Sequence, residues 1–212
     1  MRVVYGVFGY GRGHATRALA VPLLIPSASQ TVGPFFNFAL TSNPHLGNLA
    51  GEGAEGERIR LTVRVVDGDG VPAPGDALIE LWQANSRGCY AHPLDPREAE
   101  RDPHFYGFGR LETDANGECV FETIKPGLVP DGNGGMQAPH INVIVLARGL
   151  LKHLYTRIYF AGEPANARDA ALAQVPEYRR ETLLAQPAAG QPKSWHFEIR
   201  LLGEAETVFF DV

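Results

Sequence analysis

The sequence predicts a mainly β protein, an antiparallel or mixed β-sandwich with long loops and a short helical insertion near residues 165–186. Short apolar runs with a period of two recur along the chain, clusters of Gly, Pro and Asp separate them, and a single Ala-rich stretch favours helix. The 212 residues, 44% hydrophobic and 20% charged, suffice for one domain with a sizeable core.

In "IRLTVRV", Ile59, Leu61, Val63 and Val65 face one way and Arg60, Thr62 and Arg64 the other, as in a half-buried strand. "VDGDGVPAPG" supplies turn chemistry, and "ALIELWQA" and "ECVFETI" are the next strands, the second ending at "KPG". "HINVIVLARG" is apolar on both faces in its middle, which predicts a central strand covered on each side. "YTRIYF" and "WHFEIRL" complete the set. "ANARDAALAQVPEYRRETLLAQ" is the helix-favouring stretch, split by Pro176. The segment from Ser86 to Phe108 carries no strand pattern, and a loop of that length is commonly functional or interfacial.

The net charge of −5 is spread along the chain with no Lys/Arg block, which argues against nucleic acid or an anionic membrane as partner. Cys89 and Cys119 make no disulfide framework and read as buried thiols in a reducing interior. Residues 1–26 are expected to be an appended leader of unclear role. Gly9, Gly11 and Gly13 form a turn that could pass for a phosphate-cradling loop, but no acidic residue follows at the spacing a ribose would need. Arg12 and Arg17 interrupt what a secretory signal would require. Residues 27–57 read as an interface arm, because Pro34, Phe35, Phe36 and Phe38 are too apolar for a free tail, and residues 58–212 as the sandwich domain.

"QAPHINVIVLARG" has the look of half a metal site. His140 and the residue two positions on share a strand face, yet that residue is Asn142. Three readings stand: a buried core histidine with Asn142 as a neutral partner, the remnant of a ligand pocket without metal, or a working metal site with water or a distant carboxylate filling the gaps.

The motifs "VVDGDGVPAPGDALIELWQANSRGCY", "GRLETDANGECVFETIKPG" and "APHINVIVLARG" together resemble the intradiol ring-cleaving dioxygenases. "PSASQTVGPFF", "APHINVIVLARGLLKHLYTRIYF", "RRETLLA" and "GEAETVFFDV" are similar to the α chains of the family's two-chain members, so the resemblance spans about Ser27 to Val212. It implies a β-sandwich that pairs with a β chain of like fold, the β chain carrying a non-haem ferric ion held by two tyrosinates and two histidines. Hard Fe(III) favours anionic phenolate oxygen, with imidazoles completing the set. Carried over by position, Tyr90 matches one tyrosine and His140 one histidine. Val129 stands for the other tyrosine, Asn142 for the other histidine, and Gln137 for an arginine just ahead of them. The resemblance therefore implies no catalytic residue and no metal in this chain, with Fe(III) in the partner.

It further implies that Thr31, Gly33, Pro34 and Phe35 wall the partner's substrate pocket, the bland alternative being a structural interface arm. Arg148 would attract the carboxylate of 3,4-dihydroxybenzoate, cleaved there with O2, the alternative being a solvated or intersubunit salt bridge. A bacterial cytoplasmic enzyme is expected. Two other functions stay open: a non-catalytic β-sandwich binding module, since "TDANGECVFETIKPG" also suits transthyretin-like sandwiches, and an independent intradiol dioxygenase with an altered metal site.

Overall fold

The computed structural model describes residues 39–67, 70–72, 77–132, 134–150, 152–203 and 205–211. Among these described residues ten strands carry the fold: β1 Arg58–Val66, β2 Ala77–Gln83, β3 Phe108–Glu112, β4 Glu118–Ile124, β5 Val129–Pro130, β6 Met136–Gln137, β7 His140–Ala147, β8 Leu154–Phe160, β9 Leu184–Ala188 and β10 Gln191–Arg200. Eight of them form one mixed sheet in the order β3-β2-β7-β8-β9-β10-β1-β4, and β5 and β6 make a separate small hairpin. The large sheet bends over itself, nearly closing into a barrel. β9 is the corner, with Leu184 and Ala185 beside Tyr159 and Phe160 of β8, and Gln186 and Pro187 beside His196 and Trp195 of β10.

Alternation decides which side chains fill the space between the two halves. Ile59, Leu61, Val63 and Val65 of β1 meet Ile79 and Leu81 of β2, Phe121 of β4 and Ile141, Val143 and Val145 of β7 in one buried cluster. A buried amide crosses this apolar layer. Gln83 of β2 donates to the Ile124 carbonyl at 2.9 Å and accepts from the Thr123 hydroxyl at 2.9 Å, so the halves are tied by polar bonds as well as packing. Leu49 and Ala50 join the same core, and Phe35, Phe36 and Phe38 lie outside the described residues.

β7 is central, flanked by β2 and β8. Its inward Ile141, Val143 and Val145 are fully buried, while Asn142, Ile144 and Leu146 on the outer face are half-buried, so this chain covers the second face only in part. Two strands of the large sheet, β3 and β9, and both strands of the small hairpin lacked a sequence signal. In β3, "FGRLE", Gly109 replaces an apolar residue because a Cβ there would lie 2.5 Å from Leu49 Cδ1 and 2.9 Å from the Leu46 carbonyl oxygen. The helical insertion is real but shorter than 165–186: a 3-10 turn at Pro164–Arg168, α1 at Ala170–Ala173 and a second 3-10 turn at Glu177–Leu183. Residues 184–186 are strand, because ladder pairing with β8 and β10 overrides the helix preference of "LLAQ".

Backbone crossing fixes the loop after β2. Gly88, at φ +76, would place a Cβ 1.7 Å from the Leu128 carbonyl oxygen, and a Cβ on Gly127 would lie 2.3 Å from the Ser86 carbonyl oxygen. The segments "SRG" and "PGL" therefore touch backbone to backbone, which brings residue 90 toward residue 129. Gly88→Ala should destabilise by at least about 3 kcal/mol more than Gly149→Ala, whose φ is +87 but whose Cβ would meet nothing within 4 Å. Paired urea titrations measure the difference.

Candidate functional site

The site lies on the outer face of the β2-β7-β8 region. Register places Phe108, Trp82, Asn142 and Arg157 in one row across β3, β2, β7 and β8, and His140 opposite Tyr159 one step along the same face. Three segments close over it: the loop after β2, which carries Tyr90, the β5/β6 hairpin, and the helical stretch from 164 to 183.

Tyr90 is held at both ends. Its backbone N–H donates to Asp95 Oδ2 at 2.9 Å, its ring stacks on Trp82 with centroids 5.6 Å apart, and its hydroxyl accepts from Asn142 Nδ2 at 3.2 Å. Burial pushes the Asp95 carboxyl up, but hydrogen bonds from the Arg97 side chain and from the backbone N–H groups of Tyr90 and Arg97 outweigh it and hold Asp95 at about 2. The same Asn142 amide donates to the Trp82 carbonyl at 3.3 Å, and its Oδ1 is buried without a hydrogen-bond partner among the described residues.

His140 is 1% exposed, and its Nδ1 lies 2.7 Å from the Ala138 carbonyl oxygen. A carbonyl only accepts, so Nδ1 carries the proton and Nε2 keeps its lone pair. Burial, and then the Arg157 guanidinium, lower the imidazole to about 4, so it is neutral at pH 7. Behind it Asp169, fully buried, accepts at Oδ2 from the Ala138 N–H (2.8 Å). Its Oδ1 accepts from the Tyr159 hydroxyl (3.0 Å) and from the Ala171 (3.0 Å) and Leu172 (2.8 Å) N–H groups of α1. Arg157, also buried, donates from Nη1 to Gln137 Oε1 at 2.8 Å and lies 3.4 Å from the Tyr159 hydroxyl. Val129 is buried and pairs in register with Gln137 across the small hairpin.

The structure thus gathers Tyr90, Val129, Gln137, His140 and Asn142 around one patch. Arg148 is elsewhere. It is exposed in the turn after β7, six residues beyond Asn142, or roughly 20 Å at the rise of a strand. Thr31, Gly33, Pro34 and Phe35 lie outside the described residues. Sequence reasoning missed Arg157 and Asp169. The signals were there: a charge in the middle of "YTRIYF", on the face shared with Tyr155 and Tyr159, and an Asp directly before "AALA", the usual chemistry of a helix N-cap. Both cysteines are free and buried, and burial pushes Cys119 up to about 12.

The family model described as Dioxygenase matches residues 32–203. The chain belongs to the intradiol dioxygenase family. It is 40% identical over 197 residues to the protocatechuate 3,4-dioxygenase alpha chain of Burkholderia cepacia, covering 87% of this chain and 96% of that one. It is 38% identical over 159 residues to the beta chain from the same organism, covering 72% and 67%. Among solved structures, the dioxygenase domain of a carbohydrate-binding fusion from Streptomyces sp. SirexAA-E superposes with a TM-score of 0.55 at 26% identity, over 76% of this chain and 88% of that one. Catechol 1,2-dioxygenase from Acinetobacter sp. ADP1 does so with a TM-score of 0.56 at 25% identity, over 72% of this chain and 55% of that one.

Intradiol dioxygenases depend on non-haem iron, and the residues gathered here do not fit a ferric ion. His140 has the orientation of a ligating imidazole, with Nδ1 tied to a carbonyl and Nε2 available. Tyr90 offers one phenol. The remaining positions present the Val129 isopropyl group, the Asn142 amide and a buried guanidinium, none of which is an anionic donor. Among the described residues no group of three or more His, Cys, Asp or Glu side chains could hold a metal.

Two predictions follow from this geometry. Asp169→Asn sets an amide N–H₂ or a weakened acceptor against four donors and should cost roughly 2–4 kcal/mol, read from the denaturation midpoint. His140 is neutral when folded and has an ordinary value when unfolded, so the unfolded chain binds the extra proton. Its contribution is intact above about pH 6.5 and is lost as pH falls toward about 4, on the order of 3 kcal/mol in all. The unfolding free energy of His140→Gln should change less between pH 7 and pH 5 than that of the parent.

Proposed function

We propose that this chain is the α, non-iron-binding subunit of a protocatechuate 3,4-dioxygenase. In this reading it pairs with a β subunit of like fold that holds Fe(III), and the complex cleaves 3,4-dihydroxybenzoate with O2 to 3-carboxy-cis,cis-muconate. One combination carries the reading: likeness over 96% of an alpha chain, together with Val129 and Asn142 in a patch that otherwise keeps a tyrosine and a correctly turned histidine. Tyr90, Val129, Gln137, His140 and Asn142 are then vestigial metal-site positions. Residues 58–212 would be the sandwich domain, 27–57 the arm to the partner and 1–26 an appended leader.

The contribution of such a chain to the reaction is a wall and a charge. Thr31, Gly33, Pro34 and Phe35 would line the partner's pocket, and Arg148 would meet the substrate carboxylate. Its exposed place at the end of β7 supports this reading, because a guanidinium there can reach across an interface without leaving the sheet that holds it. No helix among the described residues is long and apolar enough to cross a membrane, and the proposed setting is the bacterial cytoplasm.

The chain purified alone should be colourless and inactive, and co-expression with a β chain carrying two tyrosines and two histidines should give a coloured, active complex. Turnover by the lone chain would point to an independent dioxygenase, and failure to assemble would point to a binding module. In the complex, Arg148→Ala should raise KM for protocatechuate by about 10-fold and leave that for a catechol without the carboxylate nearly unchanged. An equal effect on both substrates would remove the carboxylate role.

A further inference from the structure

Arg157 has no place in the function proposed above, yet the fold holds it with care. It is 4% exposed, on a strand buried along most of its length. β7/β8 register sets it directly across from Asn142, and side chains so paired have Cβ atoms about 4.5–5.5 Å apart. Nη1 is bound by Gln137 Oε1 on the hairpin and lies within reach of the Tyr159 hydroxyl, which in turn donates to the buried Asp169 carboxylate. The guanidinium is therefore fixed beside the patch rather than free to swing out, and arginine does not deprotonate in proteins.

We propose that Arg157 is the resident cation of this site: its guanidinium stands where it supplies the positive charge a metal would bring, and it keeps metal out even when ligands are restored. The one buried carboxylate nearby, Asp169, is linked to Arg157 through the Tyr159 hydroxyl and offsets its charge, so a patch of one phenol, one neutral imidazole and one fixed guanidinium has no net anionic charge left over for a second cation. Asn142 fits this arrangement. It turns its amide nitrogen to the Tyr90 hydroxyl at 3.2 Å, so the two side chains are bonded directly to each other. The inference concerns this chain alone and holds with or without a partner subunit.

The test uses the full chain with ferric nitrilotriacetate as the iron source, and reads retained iron after desalting together with visible tyrosinate-to-iron absorption. Val129→Tyr with Asn142→His restores donors and keeps Arg157. Adding Arg157→Gln removes the charge, and adding Arg157→Lys keeps it. The Gln form should bind iron at least about 10-fold more tightly than the other two. Equal binding by all three overturns the proposal, as does absence of binding by a Gln form whose thermal unfolding shows it folded. Arg157→Gln in the otherwise unchanged chain gives an independent reading. Its affinity for Zn(II) at Tyr90 and His140 should exceed that of the parent, and an unchanged affinity counts against the resident cation.

Discussion

One buried carboxylate organises the side of the molecule on which the site lies. Asp169 accepts from the N–H just before β7, from the Tyr159 hydroxyl on β8 and from two N–H groups at the start of α1. A four-residue helix has no stability of its own, since nucleation alone is unfavourable, so α1 exists because its first turn is capped and its Leu172 is buried against Ala138, Tyr159, Val175 and Leu183. That satellite cluster is what covers the outer face of β7 and β8. Without the cap the helical stretch would have no fixed seat, and His140 and Arg157 would be open to water.

The electrostatics of the patch follow from that cover. Burial and the neighbouring guanidinium both act against a charge on His140, while the Ala138 carbonyl fixes its tautomer. Arg157 and Asp169 are linked through the Tyr159 hydroxyl, so the two buried charges are bridged by a neutral group that can donate to one and accept from the other. Burial raises the Tyr159 phenol, which keeps it protonated and able to play that part. A polar network of this kind imposes one arrangement, because each member left unpaired would cost more than the bond it makes.

The strands of the two main layers were legible because alternation reports a sheet with one wet and one dry face, and β1, β4 and β10 have such faces. β3 and β9 were not, for different reasons. β3 gives up an apolar residue at Gly109 so that residues 46–49 can cross it, and β9 is a corner whose pairing with two strands has no local signature. In the site, the motif around His140 pointed to the right patch, but a substitution pattern read one position at a time counted a lost cation at Gln137. In the folded chain a guanidinium is present after all. It enters from β8, twenty residues later, and position 137 has become its acceptor. Strand register, which sets Arg157 beside Asn142, is long-range information that residue types alone do not carry.

Paired groups of this kind leave the patch well packed. Val129 brings no polar group that needs a partner, because it sits buried in the small hairpin. Asn142 is a different case, since it bridges Tyr90 to the Trp82 backbone and its buried Oδ1 has no hydrogen-bond partner among the described residues. The cost of that oxygen is a sign that the amide is placed for Tyr90 rather than for its own satisfaction. A tyrosine stacked on Trp82, anchored by Asp95 and capped by an amide, is rigid, and it forms part of the surface that the loop after β2 presents. In the α-subunit reading proposed above, such a network would keep the shape of the loop beside a neighbour's site while presenting no catalytic ligand set of its own.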